Sequence, residues 1–593
     1  MINGLKKAFK KVGRIAAPYI AAGILALAPG CGGGGGGGGG TPPVNNAPTI
    51  TSHIDSRVED NLPTYSSNIV VDDTDGDDVT GSIVDAPSDA ILTEPTENNF
   101  TLEFDATPYQ LGDVIPVTLE FADEHGLTIQ EIRNIIVHSQ GSGTNRISNE
   151  NCIIIADPAL STSLQELVDY TIRKGMSTKM YTTTYVYSNS TGSTPQEQIR
   201  NFIKARKASH SELEHIVLAG DDGAVPAFRV QAENTIGANI TNMPSDLPYS
   251  AINSPTDADK DTKLFERIDD APDLTLVLNV SRLPFATTPQ VDNFINNLKT
   301  YDASLTKAND ILFSAGYIVN PTADAAEEKD SLTFYLGGKN VTKLYESGFG
   351  GSPVLNKASL IAALNSGCNI WNHYAHGYLT ATNCGGSDEF NLTDAQNLTT
   401  INPFIAYLVA CTTGNFADAG SDCLAESLLK NKSIGVIAPT DVSLYSVPWT
   451  VGSGKSWLFD EKFLETLYSN GVTNFGEAFT KSKESFKSNS SGNKDYNWIY
   501  KNLHLLGYSP MDIHTGNLGD LAITQDPRTD CIDLIVTDGT NPVVDTSICI
   551  VTPANEIYVG NTNAQGRVVF PITPSPTDKT TATMHNYKIK LIN

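Results

Sequence analysis

The sequence predicts a multidomain protein in which a central α/β domain with a mostly parallel sheet is flanked by N-terminal and C-terminal β-sandwich domains. Of the 593 residues, 40% are hydrophobic and 18% are charged, so the chain can bury several cores. Between residues 151 and 515, apolar runs alternate with helical patterns. The segments 46–140 and 518–593 instead contain short alternating strands separated by turns.

The first 45 residues have the pattern of an export signal followed by a linker. Residues 1–31 combine a basic start, an apolar run and Cys31, which is the order of a secretory signal peptide. A cysteine at this place resembles the acceptor of bacterial lipoproteins, so Cys31 is the predicted lipidation site. A plain secretory signal cleaved nearby is the alternative. Residues 32–45 begin with nine glycines and predict a flexible tether. We therefore expect a cell-surface or outer-membrane lipoprotein, held by its lipid alone, or a secreted protein.

Residues 46–140 predict a β-sandwich. Short runs such as SNIVV and FTLEF alternate polar and apolar residues between turns. The opening APTIT and an acidic turn resemble cadherin-like or Ig-like modules of bacterial surface proteins. The carboxylates of Asp73, Asp75 and Asp77 can bind a structural Ca²⁺ ion in that turn, and a solvated acidic turn is the alternative.

Residues 151–515 predict the α/β domain. Apolar strands such as NCIIIAD, HIVLAGD and FIAYLVACT are separated by helical segments such as PQEQIRNFIKARK. Strands that are apolar on both faces and joined by helices form parallel sheets covered on both sides. Residues 518–593 return to strands and resemble a small Ig-like domain. Cys531 and Cys549 lie on two of these strands, where an exported protein can form a disulfide.

The composition excludes two classes of protein. The formal net charge is −27, and a polyanion repels phosphate backbones, which excludes a general nucleic-acid-binding protein. The body of the chain has no uninterrupted apolar stretch of about 18 residues, which excludes an integral membrane enzyme.

Two strands of the α/β domain end in reactive side chains. CNIWNHYAHG ends at His376 and Gly377, and FIAYLVACT brings Cys411 to the end of a strand. Because the carboxyl ends of parallel strands meet at one edge, we expect the imidazole and the thiol side by side. A free thiol has a pKa of about 8.5, so a neighbouring imidazole is needed to form the thiolate, and it can then protonate a leaving amine. The N–H groups of Gly377 and Cys411 are the predicted donors to the oxyanion.

The blocks HIVLAGDDGAVP, NVSRLPF, NHYAHG and YLVACTTGNF, followed by GVIAPTDVS, resemble the gingipain family of cysteine peptidases. The resemblance covers about residues 151–515 and the β tail. It implies a caspase-like α/β fold followed by an Ig-like domain. It further implies that Cys411 is the nucleophile, that His376 is the general base, and that Tyr445 lies over the primary specificity pocket.

Two other features of that family bear on this chain. Some members orient the catalytic histidine with an acid after the strand equivalent to ILFSAGY, where this chain has Gly316 and Tyr317. Members that cleave after basic residues hold an acid at the pocket floor. The alignment places Ala325 there, with Asp324, Glu327 and Glu328 beside it. An acidic floor would attract Arg or Lys at P1 by charge and bidentate hydrogen bonds.

The resulting hypothesis is an exported cysteine endopeptidase that cleaves proteins or peptides through a Cys411–His376 dyad, prefers Arg or Lys at P1 and requires no cofactor. The alternative is a catalytically inactive binding or adhesion protein on a caspase-like scaffold. Cys411 can also pair with Cys423, and His373 and His376 with nearby cysteines can form a zinc site, although no tight Cys-x-x-Cys spacing is present. His373 and His376 point to opposite faces of a strand, so one of them is expected to be structural.

Overall fold

The structure is a computed structural model that describes residues 47–52, 57–59, 64–73, 78–106, 108, 114–138, 144–145, 150–237, 239–447, 449–526, 531–570, 572 and 574–592. These residues form two compact units, which divide after His138. The predicted signal peptide, the lipidation site Cys31 and the glycine linker lie outside the described residues. None of the helices in the described ranges has the length and apolarity needed to span a bilayer.

The first unit is rich in strands that form two sheets, with the orders β1-β3-β6-β5 and β2-β8-β7-β4. Alternation decides which side chains face inward: Phe100, Leu102 and Phe104 are buried while the residues between them are more exposed. Of the predicted calcium ligands, Asp73 is buried just after β3, and Asp75 and Asp77 lie outside the described residues. The strands are β1 (Thr49–Ser52), β2 (Arg57–Glu59), β3 (Thr64–Asp72), β4 (Thr80–Asp85), β5 (Ile91–Thr96), β6 (Asn99–Asp105), β7 (Val114–Ala122) and β8 (Thr128–His138).

The second unit combines a large α/β core with a strand-rich C-terminal part. The strands up to the end of the core are β9 (Thr144–Asn145), β10 (Cys152–Ala156), β11 (Thr178–Thr182), β12 (His215–Ala219), β13 (Phe228–Glu233), β14 (Asn239–Ser245), β15 (Asn279–Leu283), β16 (Asp310–Ala315), β17 (Tyr317–Val319), β18 (Ala323–Asp324), β19 (Asn340–Tyr345), β20 (Ile370–Tyr374), β21 (Gly377–Tyr378), β22 (Ala381–Asn383), β23 (Glu389–Asn391), β24 (Phe404–Val409), β25 (Ser433–Pro439) and β26 (Leu503–Gly507). The α-helices are α1 (Ser161–Arg173), α2 (Thr183–Asn189), α3 (Pro195–Ser209), α4 (Leu247–Ser250), α5 (Thr288–Ser304), α6 (Ala325–Ser331), α7 (Lys357–Ser366), α8 (Leu392–Gln396), α9 (Leu424–Leu429), α10 (Lys455–Leu464), α11 (Phe475–Glu484), α12 (Lys487–Gly492) and α13 (Lys494–Asn502).

The core is built on a ten-stranded sheet with the order β11-β10-β12-β15-β26-β25-β24-β20-β16-β19. In this order, neighbouring strands run parallel from β11 to β15 and again from β25 to β19. Strand β26 runs antiparallel to β25. Strands such as β12 and β24 are buried at every position, because helices cover both faces. The sequence-based prediction of a mostly parallel, doubly covered sheet is confirmed.

The C-terminal part forms a sheet β27-β28-β31 and a sheet β33-β32-β29-β30-β9, which share an apolar core. The predicted Cys531–Cys549 disulfide is wrong, because the two thiols are not joined in the structure. Cys549 lies on β29 and its Sγ–H donates to the carbonyl of Ile172 at 3.1 Å, whereas Cys531 precedes β28 of the other sheet. The strands are β27 (Ala522–Asp526), β28 (Ile532–Thr537), β29 (Ser547–Val551), β30 (Ile557–Asn561), β31 (Arg567–Phe570), β32 (Lys579–Thr583) and β33 (Lys590–Ile592).

Candidate active site

Cys411 and His376 follow neighbouring parallel strands at the same edge of the sheet. In the register of β20 with β24, Tyr374 pairs with Val409, so each reactive residue lies two positions beyond its strand's last paired residue. Gly377 packs directly against this turn: a Cβ atom at that position would lie 2.9 Å from the carbonyl oxygen of Cys411. A side chain at position 377 would therefore push the two strand ends apart. The register therefore places His376 and Cys411 at the same edge of the sheet.

The imidazole of His376 is held by a backbone carbonyl. Its Nε2 lies 2.8 Å from the oxygen of Ile318 in β17, and since a carbonyl only accepts, Nε2 carries the hydrogen. Nδ1 is then the basic nitrogen. The chain has no acid at Gly316 or Tyr317, but the carboxylate of Glu346 accepts the N–H of Tyr317 at 2.9 Å and so fixes the segment that carries Ile318.

The thiol of Cys411 lies in a constrained turn. The next residue, Thr412, has φ of 56°, a left-handed conformation that is costly for a β-branched side chain. The N–H of Ser443 donates to Cys411 Sγ at 3.3 Å. Burial raises the pKa of the Cys411 thiol, and the Ser443 N–H opposes that rise. Within the described part of the chain, no hydrogen bond joins the side chains of Cys411 and His376.

The pH dependence of Cys411 alkylation in the substrate-free protein is expected to show the raised pKa of its thiol. Because the pKa of Cys411 is raised, we expect the rate of its modification by iodoacetamide to keep rising above pH 8.5 rather than to level off near neutrality. Mass spectrometry of the peptide that contains Cys411 would follow the rate. A plateau at neutral pH, with a rate well above that of free cysteine, would instead show a thiolate–imidazolium pair in the resting enzyme.

Aromatic side chains and one buried carboxylate surround Tyr374, the last residue of β20. The ring centroid of Trp449 is 6.1 Å from that of Tyr445 and 6.3 Å from that of Tyr374. Burial raises the pKa of the Tyr374 phenol, and the negative charges that Glu328 and Cys411 carry when ionised raise it further. We call Tyr374, Tyr445, Trp449 and Glu328 the aromatic–acidic cluster. It includes the predicted Tyr445 and one of the three predicted acids.

The three acids of α6 have different environments. Asp324 caps the helix by accepting the N–H of Ala326 at 2.9 Å, and Glu327 is exposed. Glu328 is 0% exposed, and neither carboxylate oxygen has a hydrogen-bond partner among the described residues. Burial raises the pKa of Glu328 to about 7, and the facing N–H groups of Gly452 and Gly454 offset part of this rise.

A buried ion pair lies next to this carboxylate. The ammonium of Lys329 bonds to Asp460 and Asn372, and both charged side chains are 0% exposed. The amide of Asn372 on β20 also donates to Asp460 at 2.5 Å. This network joins α10 to α6, which carries Glu328, and to β20, which ends at Tyr374 just before His376.

Comparison with known proteins identifies the family. The family model described as peptidase family C25 matches residues 147–511, which is more than half of the chain. The chain belongs to peptidase family C25, the gingipain family. It is therefore a cysteine-type peptidase. A search of curated proteins finds no match to this chain.

Solved structures show the fold of this C25 peptidase. The Arg-specific cysteine proteinase gingipain R has a TM-score of 0.59 at 16% identity, over 75% of this chain and 97% of that one. A complex of the RgpB pro- and mature domains from Porphyromonas gingivalis has a TM-score of 0.58 at 16% identity, over 74% of this chain and 99% of that one. A further protease has a TM-score of 0.54 at 15% identity, over 75% and 97%. The predicted caspase-like core is confirmed.

Other histidine and cysteine side chains of this C25 peptidase have structural positions. His373 is buried between the hydroxyls of Ser314 and Thr382, each 2.8 Å away, and burial lowers its pKa to about 3. It is the structural member of the predicted histidine pair. Cys411 and Cys423 are not joined, so that alternative is wrong.

Three groups of side chains among the described residues bring metal-ligating atoms within 4.8 Å of one another. The zinc alternative at His373 and His376 is not one of them. Two are acidic groups in the segment before β15, and the third lies at the C-terminal part. Their members are Asp257, Asp259 and Asp270; Asp259, Asp261 and Glu266; and Asp512, His514 and His585.

Proposed function

We propose that this peptidase is an endopeptidase that cleaves after Arg or Lys with Cys411 and His376 as its catalytic dyad. Nδ1 of His376 takes the Sγ proton, and the thiolate attacks the scissile carbonyl to form a tetrahedral adduct. The C–N bond then breaks and the imidazolium gives its proton to the leaving amine. Water attacks the resulting thioester, with His376 again as base, and releases the acid product and the free thiol. No cofactor takes part in these steps.

The backbone around Gly377 supports its predicted part in this reaction. Asn383 donates its N–H to the carbonyl of His376 at 2.9 Å, and Gly377 pairs with Thr382. In an antiparallel ladder this makes Gly377 and Thr382 a non-hydrogen-bonded pair, so the N–H of Gly377 points away from β22. That N–H remains available to an oxyanion beside Cys411.

The single observation that carries the basic preference is the buried Glu328 carboxylate in the aromatic–acidic cluster. A buried carboxylate that only the N–H groups of Gly452 and Gly454 face is costly, and a guanidinium or ammonium from the substrate would supply stronger donors and the opposite charge. Tyr445 and Trp449 would cover the apolar stem of the P1 side chain. The gingipain R structure, whose description names it Arg-specific, has the same fold.

A panel of fluorogenic peptides that differ only at P1 tests this preference. We expect kcat/KM for Arg and Lys peptides to fall about 10- to 100-fold in Glu328→Gln, because one charge-assisted interaction is lost, with little change for Leu peptides. Since the pKa of Glu328 is raised to about 7, KM for the Arg peptide is expected to fall as pH rises from 6 to 8, and this dependence is expected to disappear in the variant.

Glu327→Gln, one residue away on the exposed side of the same helix, is the matched control and should leave both profiles unchanged. Equal rates for Arg and Leu peptides in the parent enzyme would contradict the P1 preference while leaving the dyad in place.

We also propose that the enzyme is exported and anchored by lipid on Cys31, with Ig-like modules on both sides of the peptidase core. The order of a basic segment, an apolar segment and a cysteine supports this location. Labelling with a fatty acid in a bacterial host is expected for the parent and not for Cys31→Ser. Calcium binding by Asp73, Asp75 and Asp77 remains a prediction.

A further inference from the structure

A cavity of about 250 Å³ lies between the C-terminal part and the α/β core. Asn369, the residue before β20, donates its side-chain N–H to the carbonyl of His514 at 2.6 Å. His514 therefore lies at the amino-terminal edge of the sheet, opposite the edge that carries Cys411. His585 reaches the cavity from the segment between β32 and β33, so the wall is shared by the core and the C-terminal strands.

Three side chains on this wall have the donor set of a zinc site. One ligand atom from each of Asp512, His514 and His585 lies within 4.8 Å of the others, and His585 Nδ1 is 2.6 Å from Asp512 Oδ2. Zinc bonds of about 2.0–2.2 Å in tetrahedral geometry place ligands about 3.3 Å apart. Shifts of up to about 1.5 Å would bring the three atoms onto one ion, and the cavity has room for water as a fourth ligand.

The second observation is the unsatisfied imidazole of His514. This side chain is 4% exposed, and neither ring nitrogen has a hydrogen-bond partner among the residues that the structure describes. Nε2 faces Asp302, whereas no polar contact in the described residues reaches Nδ1. A buried ring nitrogen without a hydrogen bond is destabilising, and a metal ion at Nδ1 would remove that cost.

The outer contacts also match those of zinc-binding histidines, whose second ring nitrogen faces an oxygen atom. His514 Nε2 lies 3.7 Å from Asp302 Oδ1, and His585 Nε2 lies 2.8 Å from Thr515 Oγ1. Lys174 also lines the cavity, but its ammonium is paired with Asp302 at 2.6 Å and leaves no uncompensated positive charge beside the ligands.

We propose that Asp512, His514 and His585 bind one Zn²⁺ ion that fastens the C-terminal strands to the amino-terminal edge of the peptidase sheet. The ion lies away from the catalytic edge and takes no part in peptide hydrolysis. Its role is to hold together two parts of the chain that otherwise meet through hydrogen bonds such as those from Thr515 and Gly516 to Asn586.

The test is metal binding by the full chain in a Cys411→Ala background, which removes the half-buried thiol as a competing ligand. After chelation and dialysis, Co²⁺ and Zn²⁺ are titrated in separate experiments. We expect one Co²⁺ with visible bands of tetrahedral nitrogen and oxygen coordination, and a rise in the thermal midpoint with Zn²⁺. His585→Gln and His514→Gln are expected to weaken zinc binding by about 100-fold or more, and Thr515→Val by about 10-fold.

His125→Gln, a change at an exposed histidine in the first unit, is the control and should bind like the parent. If His514→Gln does not fold, the less buried His585→Gln still decides the question. Unchanged zinc affinity in His585→Gln, or a thiolate charge-transfer band with Co²⁺, would overturn the proposal.

Discussion

Replacing Cys411 by alanine is expected to lower kcat/KM for every cleaved peptide by about 10⁴- to 10⁶-fold, the scale seen when a covalent nucleophile is removed. The structure offers no substitute at this position. Ser443 approaches Sγ through its backbone N–H, and His373 is buried in its own hydrogen bonds. A fluorogenic assay with the preferred peptide, checked by trapping the thioester, would measure the loss.

Cys368→Ala is the matched control, because this thiol is buried before β20 and lies away from the catalytic edge. We expect it to keep most of the parent activity. Activity of Cys411→Ala close to that of the parent would show that another group is the nucleophile, and it would remove the dyad from the mechanism.

The second large effect is expected on stability. Asp460→Ala should destabilise the second unit by about 3–5 kcal/mol, because it leaves the ammonium of Lys329 buried without its counter-charge. Burial already lowers the pKa of Lys329 and Asp460 opposes this, so the variant is expected to lose less stability at alkaline pH, where the amine can be neutral. The four tryptophans all lie in the second unit, so urea unfolding followed by their fluorescence reports on it.

The double variant Lys329→Met with Asp460→Leu distinguishes the effect of an unpaired buried charge from the effect of losing the ion pair. We expect it to lose much less stability than Asp460→Ala, since two apolar side chains replace two mutually compensated charges. Glu477→Ala breaks an exposed pair with Lys481 and should change stability by less than about 1 kcal/mol. A loss of that small size in Asp460→Ala would contradict the account of the buried pair.

The local pattern of apolar residues along the sequence was sufficient to predict the central sheet and the strand ends. Apolar runs between helices predicted the parallel sheet, and the strand ends predicted that His376 and Cys411 would meet at one edge. Strand partnership in the C-terminal part was harder to predict. Cys531 precedes β28, whereas Cys549 lies on β29, and these strands belong to different sheets. The alternation of polar and apolar residues along a strand does not indicate which sheet the strand joins.

The site residues that were not predicted act through their backbone or through burial. Ile318 contacts His376 through a backbone carbonyl, and Ser443 contacts Cys411 through a backbone N–H. Every residue type except proline has both groups, so no side-chain pattern marks these positions. The choice among Asp324, Glu327 and Glu328 depends on how α6 is rotated against the core. Trp449 could have been predicted from the sequence, because it is a second aromatic residue in the same loop as Tyr445.

The carbonyl of Ile318 has a consequence for how acidity affects turnover. A carboxylate that supports a catalytic histidine brings an ionisation of its own and stabilises the imidazolium by its full charge. A peptide dipole neither titrates nor supplies a whole charge, so the acid limb for peptides with an apolar P1 residue should contain a single protonation. In the proposed mechanism, His376 therefore acts without the full charge of a carboxylate, and the group that bonds to its ring does not titrate.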